Sequence, residues 1–210
     1  MTYLVVIIAI ATLLRLLFLE TIPWGFNCDE AANGYEAYSI LETMRDRYGK
    51  FMPLFLRVLG NDYRESLYLF ITVPFIKIFG LNEFGTRFPA ALCGILTVVA
   101  VYYFVKECFN NRVVLISALL LAINPWHIQF NRIAFRVNLL PLLLVLGLLF
   151  FAKSFKNPKY LPLTGLMFGL SLWTYSSARA FISLFVLGLT IIFYKHLWRN
   201  RAQTLIAFIL

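Results

Sequence analysis

Asp29 and Glu30 are adjacent carboxylates placed just after the first apolar run of the chain, Thr2 to Leu19, and they open a tyrosine-rich amphipathic stretch. A carboxylate held within hydrogen-bond reach of a hydroxyl can act as a general base. Arginines at the ends of later apolar runs, Arg87, Arg132, Arg136 and Arg179, could neutralise a departing anion. Each residue also has a plainer use. Acids favour the first turn of a helix because they oppose its macrodipole. Arginines at span ends anchor in the head groups by snorkelling, and those beside aromatics suit an interfacial belt.

The elements that must position these residues are apolar helices. Hydrophobic residues make up 61% of the 210 residues, more than a soluble core requires. The fold class expected is all-α, a polytopic transmembrane helical protein with juxtamembrane amphipathic helices in its first extracytoplasmic loop. The net charge of +9 does not point to nucleic acid, because the basic residues lie between apolar runs and form no block with interleaved aromatics. Cys28, Cys93 and Cys108 have neither metal-ligand spacing nor an even count, so free thiols are expected.

Thr2 to Leu19 lacks a basic leader and a small-residue cleavage site, and reads as a retained anchor. Further spans are predicted over Phe88–Val105, Val113–Asn124, Val137–Ala152, Leu161–Tyr175 and Ala180–Tyr194, with another starting at Thr204 and cut short at Leu210. The chain therefore reads as the amino-terminal part of one membrane domain. It divides into a first span (2–19), a loop (20–87) and further spans (88–210).

The run Leu67–Phe79 decides the topology. If it does not cross, the connectors Lys106–Arg112, Lys153–Lys159 and Lys195–Arg201 share one side and hold eight Lys or Arg, against Arg132, Arg136 and Arg179 opposite. The positive-inside rule then makes the eight-charge side cytoplasmic, with the N-terminus. Crossing would invert this, so Leu67–Phe79 is expected to be juxtamembrane or re-entrant. The loop 20–87, with nine of the ten acidic residues, is then extracytoplasmic. Within it, Asn27 and Glu30 have capping-box spacing and Gly49 supplies a stop, predicting a helix from Cys28 to about Tyr48.

The order of several short motifs resembles the GT-C glycosyltransferases related to protein O-mannosyltransferases and lipid A aminoarabinose transferases. The motifs are Asp29-Glu30, Tyr48-Gly49, Pro53-Leu54, Glu65-Ser66-Leu67-Tyr68, the run Phe79 to Ala91, Asn124-Pro125-Trp126-His127 and Asn131-Arg132. The resemblance implies a polyprenyl-phosphate sugar donor and a lipid, glycan or protein acceptor at the membrane, with no nucleic acid partner. It implies inverting transfer with Asp29 as base beside Glu30, and Arg87, Arg132, Arg136 and Arg179 on the donor phosphate. Glu65 corresponds to an acidic position that in some members helps hold a divalent metal, and His127 is a further conceivable ligand or an interfacial residue. Asn138 stands near a place where many relatives carry an aspartate, and an amide cannot neutralise a cation, which leaves a metal cofactor in doubt. A transporter or flippase for a lipid-linked anion is the competing class, but neither internal repeats nor buried acids in the later spans favour it.

Overall fold

The computed structural model describes residues 2–57 and 63–210. Residues 58–62 of the first loop lie outside that description. Its helices are α1 (Thr2–Leu16), α2 (Cys28–Thr43), α3 (Leu67–Phe79), α4 (Glu83–Cys108), α5 (Asn111–Ile123), α6 (Pro125–Asn131), α7 (Leu139–Ser154), α8 (Leu161–Leu172), α9 (Ser176–Ile192), α10 (Tyr194–Arg199) and α11 (Arg201–Ile209). A two-stranded antiparallel hairpin, β1 (Phe55–Arg57) and β2 (Tyr63–Glu65), precedes α3 with Leu56 opposite Arg64. The architecture is helical, as expected, apart from this hairpin.

Among the described residues, two helical stretches, Glu83–Cys108 and Arg136–Ser154, are long and apolar enough to cross a membrane. A third is available if α5 and α6, bent by 55° at their junction, form one broken span. The bend has a local cause. Asn124 is extended, its side chain accepts from the His127 backbone N–H, and Pro125 starts a new helix because its missing N–H costs nothing there. Helices α1, α3 and α9 are apolar but shorter.

Helix α4 is the central post. Ile7 and Ala11 of α1 pack with Val98 of α4 and Ala118 and Ala122 of α5. On another side, Tyr68 of α3 packs with Ala90 and Cys93 of α4 and Leu139, Leu142 and Leu143 of α7. Helices α7, α8 and α9 meet around Phe168, Ala178 and Ile182. The first loop forms its own layer: Ala37 and Ile40 of α2 bury against Leu56 of β1 and Leu69 and Ile76 of α3. Gly34 lets α2 come close to α4, since a Cβ there would lie 2.7 Å from Thr86 Oγ1.

The α2 boundary corrects the sequence reading. The helix stops at Thr43, with Met44 in the left-handed region (φ 58°) and its N–H on Ile40 O. It does not run on to Tyr48, because Asp46 takes the next amides for itself. Its Oδ1 accepts from Tyr48 N at 3.0 Å and Lys50 N at 2.8 Å, a local competition typical of Asp. Gly49 (φ 85°) consequently serves this tight turn and does not cap the helix. All three cysteines are free thiols.

Candidate active site

The capping box forms as its spacing predicts. Asn27 Oδ1 accepts from Asp29 N at 3.0 Å, and Glu30 Oε2 accepts from Asn27 N at 3.1 Å. That box fixes the start of α2 and sends its two acids in different directions.

Glu30 turns inward. Its side chain is 1% exposed and pairs with Arg87 through Nε at 2.9 Å and Nη2 at 3.2 Å. Oε1 also accepts from Ala134 N at 2.9 Å. With the Asn27 amide this makes four accepted hydrogen bonds, about the full acceptor capacity of a carboxylate. Arg87 is fully buried, and the donors not on Glu30 go to the carbonyls of Leu19, Glu20, Pro23 and Gly25. The pair therefore ties α2, α4, the exit of α1 and the segment around Ala134 together.

Arg132 plays a similar part. It is 6% exposed and donates to the carbonyls of Leu14, Leu17, Phe18 and Ile22, closing the end of α1 whose last carbonyls have no helical partners. Burial first, and the neighbouring Arg87 charge second, lower its pKa below the ordinary arginine value. In this arrangement Arg87 and Arg132 are committed to backbone carbonyls and Glu30.

Asp29 turns the other way. Its side chain is 43% exposed, and Oδ1 accepts from Arg64 Nη1 at 2.8 Å. Adjacent strand residues face opposite sides, so Arg64 meets Asp29 while Glu65 points to a second cluster. The Glu65 side chain is 1% exposed. Its Oε2 accepts from Arg136 Nη1 at 2.7 Å and its Oε1 from Arg179 Nη2. Arg136 also lies over the Tyr175 ring (4.9 Å) and Arg179 over Phe55 (5.4 Å). The Arg179 side chain stays half exposed.

The metal expectation does not fit these residues. Both Glu65 oxygens are occupied by guanidiniums, and no group of three His, Cys, Asp or Glu with metal-holding geometry occurs among the described residues. Hard divalent cations want several oxygen ligands. Asn138 donates its amide to Phe130 O at 2.8 Å and Ile133 O at 2.7 Å, a role that an ionised aspartate could not fill. His127 Nδ1 lies 2.8 Å from Arg15 Nη2, so that nitrogen acts as an acceptor between α1 and α6.

Arg64 was not singled out from the sequence, where it reads as an ordinary neighbour of Glu65. Only the hairpin reveals its contact with Asp29. The signal that could have suggested it is the strand alternation of Tyr63-Arg64-Glu65.

Helices long and apolar enough to cross a membrane, with an open carboxylate and a half-exposed arginine beside them, mark a membrane protein. The sequence model for the dolichyl-phosphate-mannose-protein mannosyltransferases matches residues 67–210. The chain belongs to that family, whose members are membrane glycosyltransferases using polyprenyl-phosphate sugars. This agrees with the GT-C resemblance and gives no support to the transporter reading. No curated protein and no solved structure matches the chain.

Proposed function

We propose that this chain carries the donor-side machinery of a transferase that moves a mannosyl unit from polyprenyl phosphate to a protein hydroxyl, with inversion, at the extracytoplasmic face. The observation that carries the reading is the contrast at the start of α2: Asp29 is open while Glu30 is saturated. Asp29 takes the proton of the acceptor hydroxyl as that oxygen bonds to the anomeric carbon and the bond to the lipid phosphate oxygen breaks. Among the described residues only Oδ1 of Asp29 is engaged, which leaves its second oxygen for the proton.

The phosphate leaves with the electron pair of the broken bond and is met by Arg179 and Arg136, with Arg64 nearby on the Asp29 side. Arg87 and Arg132 shape the wall and touch no substrate. No step is assigned to a metal. The eight basic residues of the Lys106–Arg112, Lys153–Lys159 and Lys195–Arg201 connectors support the sidedness, with 20–87 as the extracytoplasmic loop, the remaining apolar helices as spans and the N-terminus cytoplasmic.

The test is reconstitution of the chain with radiolabelled polyprenyl-phosphate mannose and a serine- or threonine-containing peptide, followed by determination of the product's anomeric configuration. A mannosylated peptide of inverted configuration is expected. Donor binding without transfer to any hydroxyl, or a retained configuration, would overturn the reading.

A further inference from the structure

We infer that the turn and strand Met44–Arg57 form a docking surface for the anionic head groups of the bilayer, beside the transfer site and distinct from it in function. The turn is built firmly. Met52 N donates to Met44 O, Asp46 N to Lys50 O and Gly49 N to Asp46 O, and Arg45 Nη1 donates to Gly49 O at 2.7 Å. Ser39 Oγ fastens it to α2 by donating to Arg45 O at 2.8 Å.

Its charges are sorted. Asp46 is 4% exposed and spends its carboxylate on the turn's own amides, and Glu36 of α2 is buried against Arg47. The outer surface shows Arg45, Lys50 and Arg57, with Glu42 of α2 as the one exposed acid beside them among the described residues. Between the cations stand large apolar side chains left open, led by Phe51 at 62% and Leu54 at 63% exposure. Arg57 lies over the Tyr48 ring at 5.3 Å. Aromatic and aliphatic groups interleaved with cations suit a head-group layer, where the former enter the acyl boundary and the latter meet phosphates.

The patch is also level with the ends of the apolar helices. Leu54 O accepts from Trp173 Nε1 at 2.9 Å, at the end of α8, and Phe55 lies beneath Arg179, near the start of α9. A surface there that is both apolar and cationic faces the bilayer edge, and its charge selects anionic over zwitterionic lipid. The inference rests on the helices lying in a membrane and not on the transfer chemistry.

The whole chain, reconstituted in lipid discs, is irradiated with trace photoactivatable phosphatidylglycerol or phosphatidylcholine carrying the reactive group next to the head group. Cross-linked peptides are mapped by mass spectrometry. The phosphatidylglycerol probe is expected to label the Lys50–Arg57 region roughly fivefold more than the phosphatidylcholine probe, the order set by one basic residue at an anionic surface. Lys50→Glu with Arg57→Glu should abolish the preference, and Lys50→Gln with Arg57→Gln serves if the charge reversal fails to accumulate. The Asp29→Asn protein should label like wild type, which separates this result from the outcome of the transfer test. Equal labelling by the two lipids, no lipid labelling of the region, or its labelling by a photoactivatable acceptor peptide instead would each overturn the inference.

Discussion

The sealed Glu30–Arg87 pair and the carboxylate–arginine contacts carried by β2 differ in what surrounds them. At Glu30 and Arg87 both side chains are sealed and their hydrogen-bonding groups are taken by protein. At Asp29 with Arg64, and on the other face of the strand at Glu65 with Arg136 and Arg179, the same chemical types meet, but Asp29 and Arg179 remain open on one side. A saturated pair has no hydrogen-bonding group left over for a ligand. An open one can exchange partners when a substrate arrives. The difference between adjacent acids therefore comes from helix phase and burial, not from residue type.

Breaking the sealed cluster should have the largest effect on stability. Arg87→Ala leaves Glu30 buried without its counter-charge, which is expected to cost about 3–5 kcal/mol. The check is loss of folded protein and a lowered melting temperature in detergent, in step with any loss of transfer. Asn138→Asp removes two donors and sets a carboxylate against the Phe130 and Ile133 carbonyls. It is expected to cost about 1–3 kcal/mol, read from the same melts, with no gain of metal dependence on titration with divalent cations.

On the open side the order of effects reverses. Arg179→Gln removes the half-exposed partner of buried Glu65, which keeps its bond to Arg136, and should cost about 1 kcal/mol. Transfer should nevertheless fall by more than about tenfold, as expected for loss of a charge-assisted contact to the leaving phosphate. Matched melting curves and transfer rates check both parts. A loss of stability as large as that of Arg87→Ala would erase the distinction between the clusters.

Much of this was legible in the sequence. Apolar runs announced the helices, and Asn27 with Glu30 announced the cap that starts α2. The end of α2 was not legible, because Gly49 looks like a helix stop while the deciding event is Asp46 capturing two amides. The arginines were found by type and position, yet their division into sealed and open depends on contacts more than 50 residues apart, such as Arg87 with Glu30. That Arg132 closes α1 was not legible for the same reason, since its carbonyl partners lie more than 100 residues away in the chain. The hairpin bringing Arg64 to Asp29 is too short to carry a strand pattern of its own.

The most direct test of the account is the transfer rate of Asp29→Asn against wild type at equal amounts of folded protein, with donor binding and melting temperature measured on the same samples. The account predicts a fall in transfer of about 10²–10⁴-fold, the range for loss of a general base, with donor binding and melting temperature unchanged. Undiminished transfer would contradict it and leave Asp29 as a first-turn acid paired with Arg64.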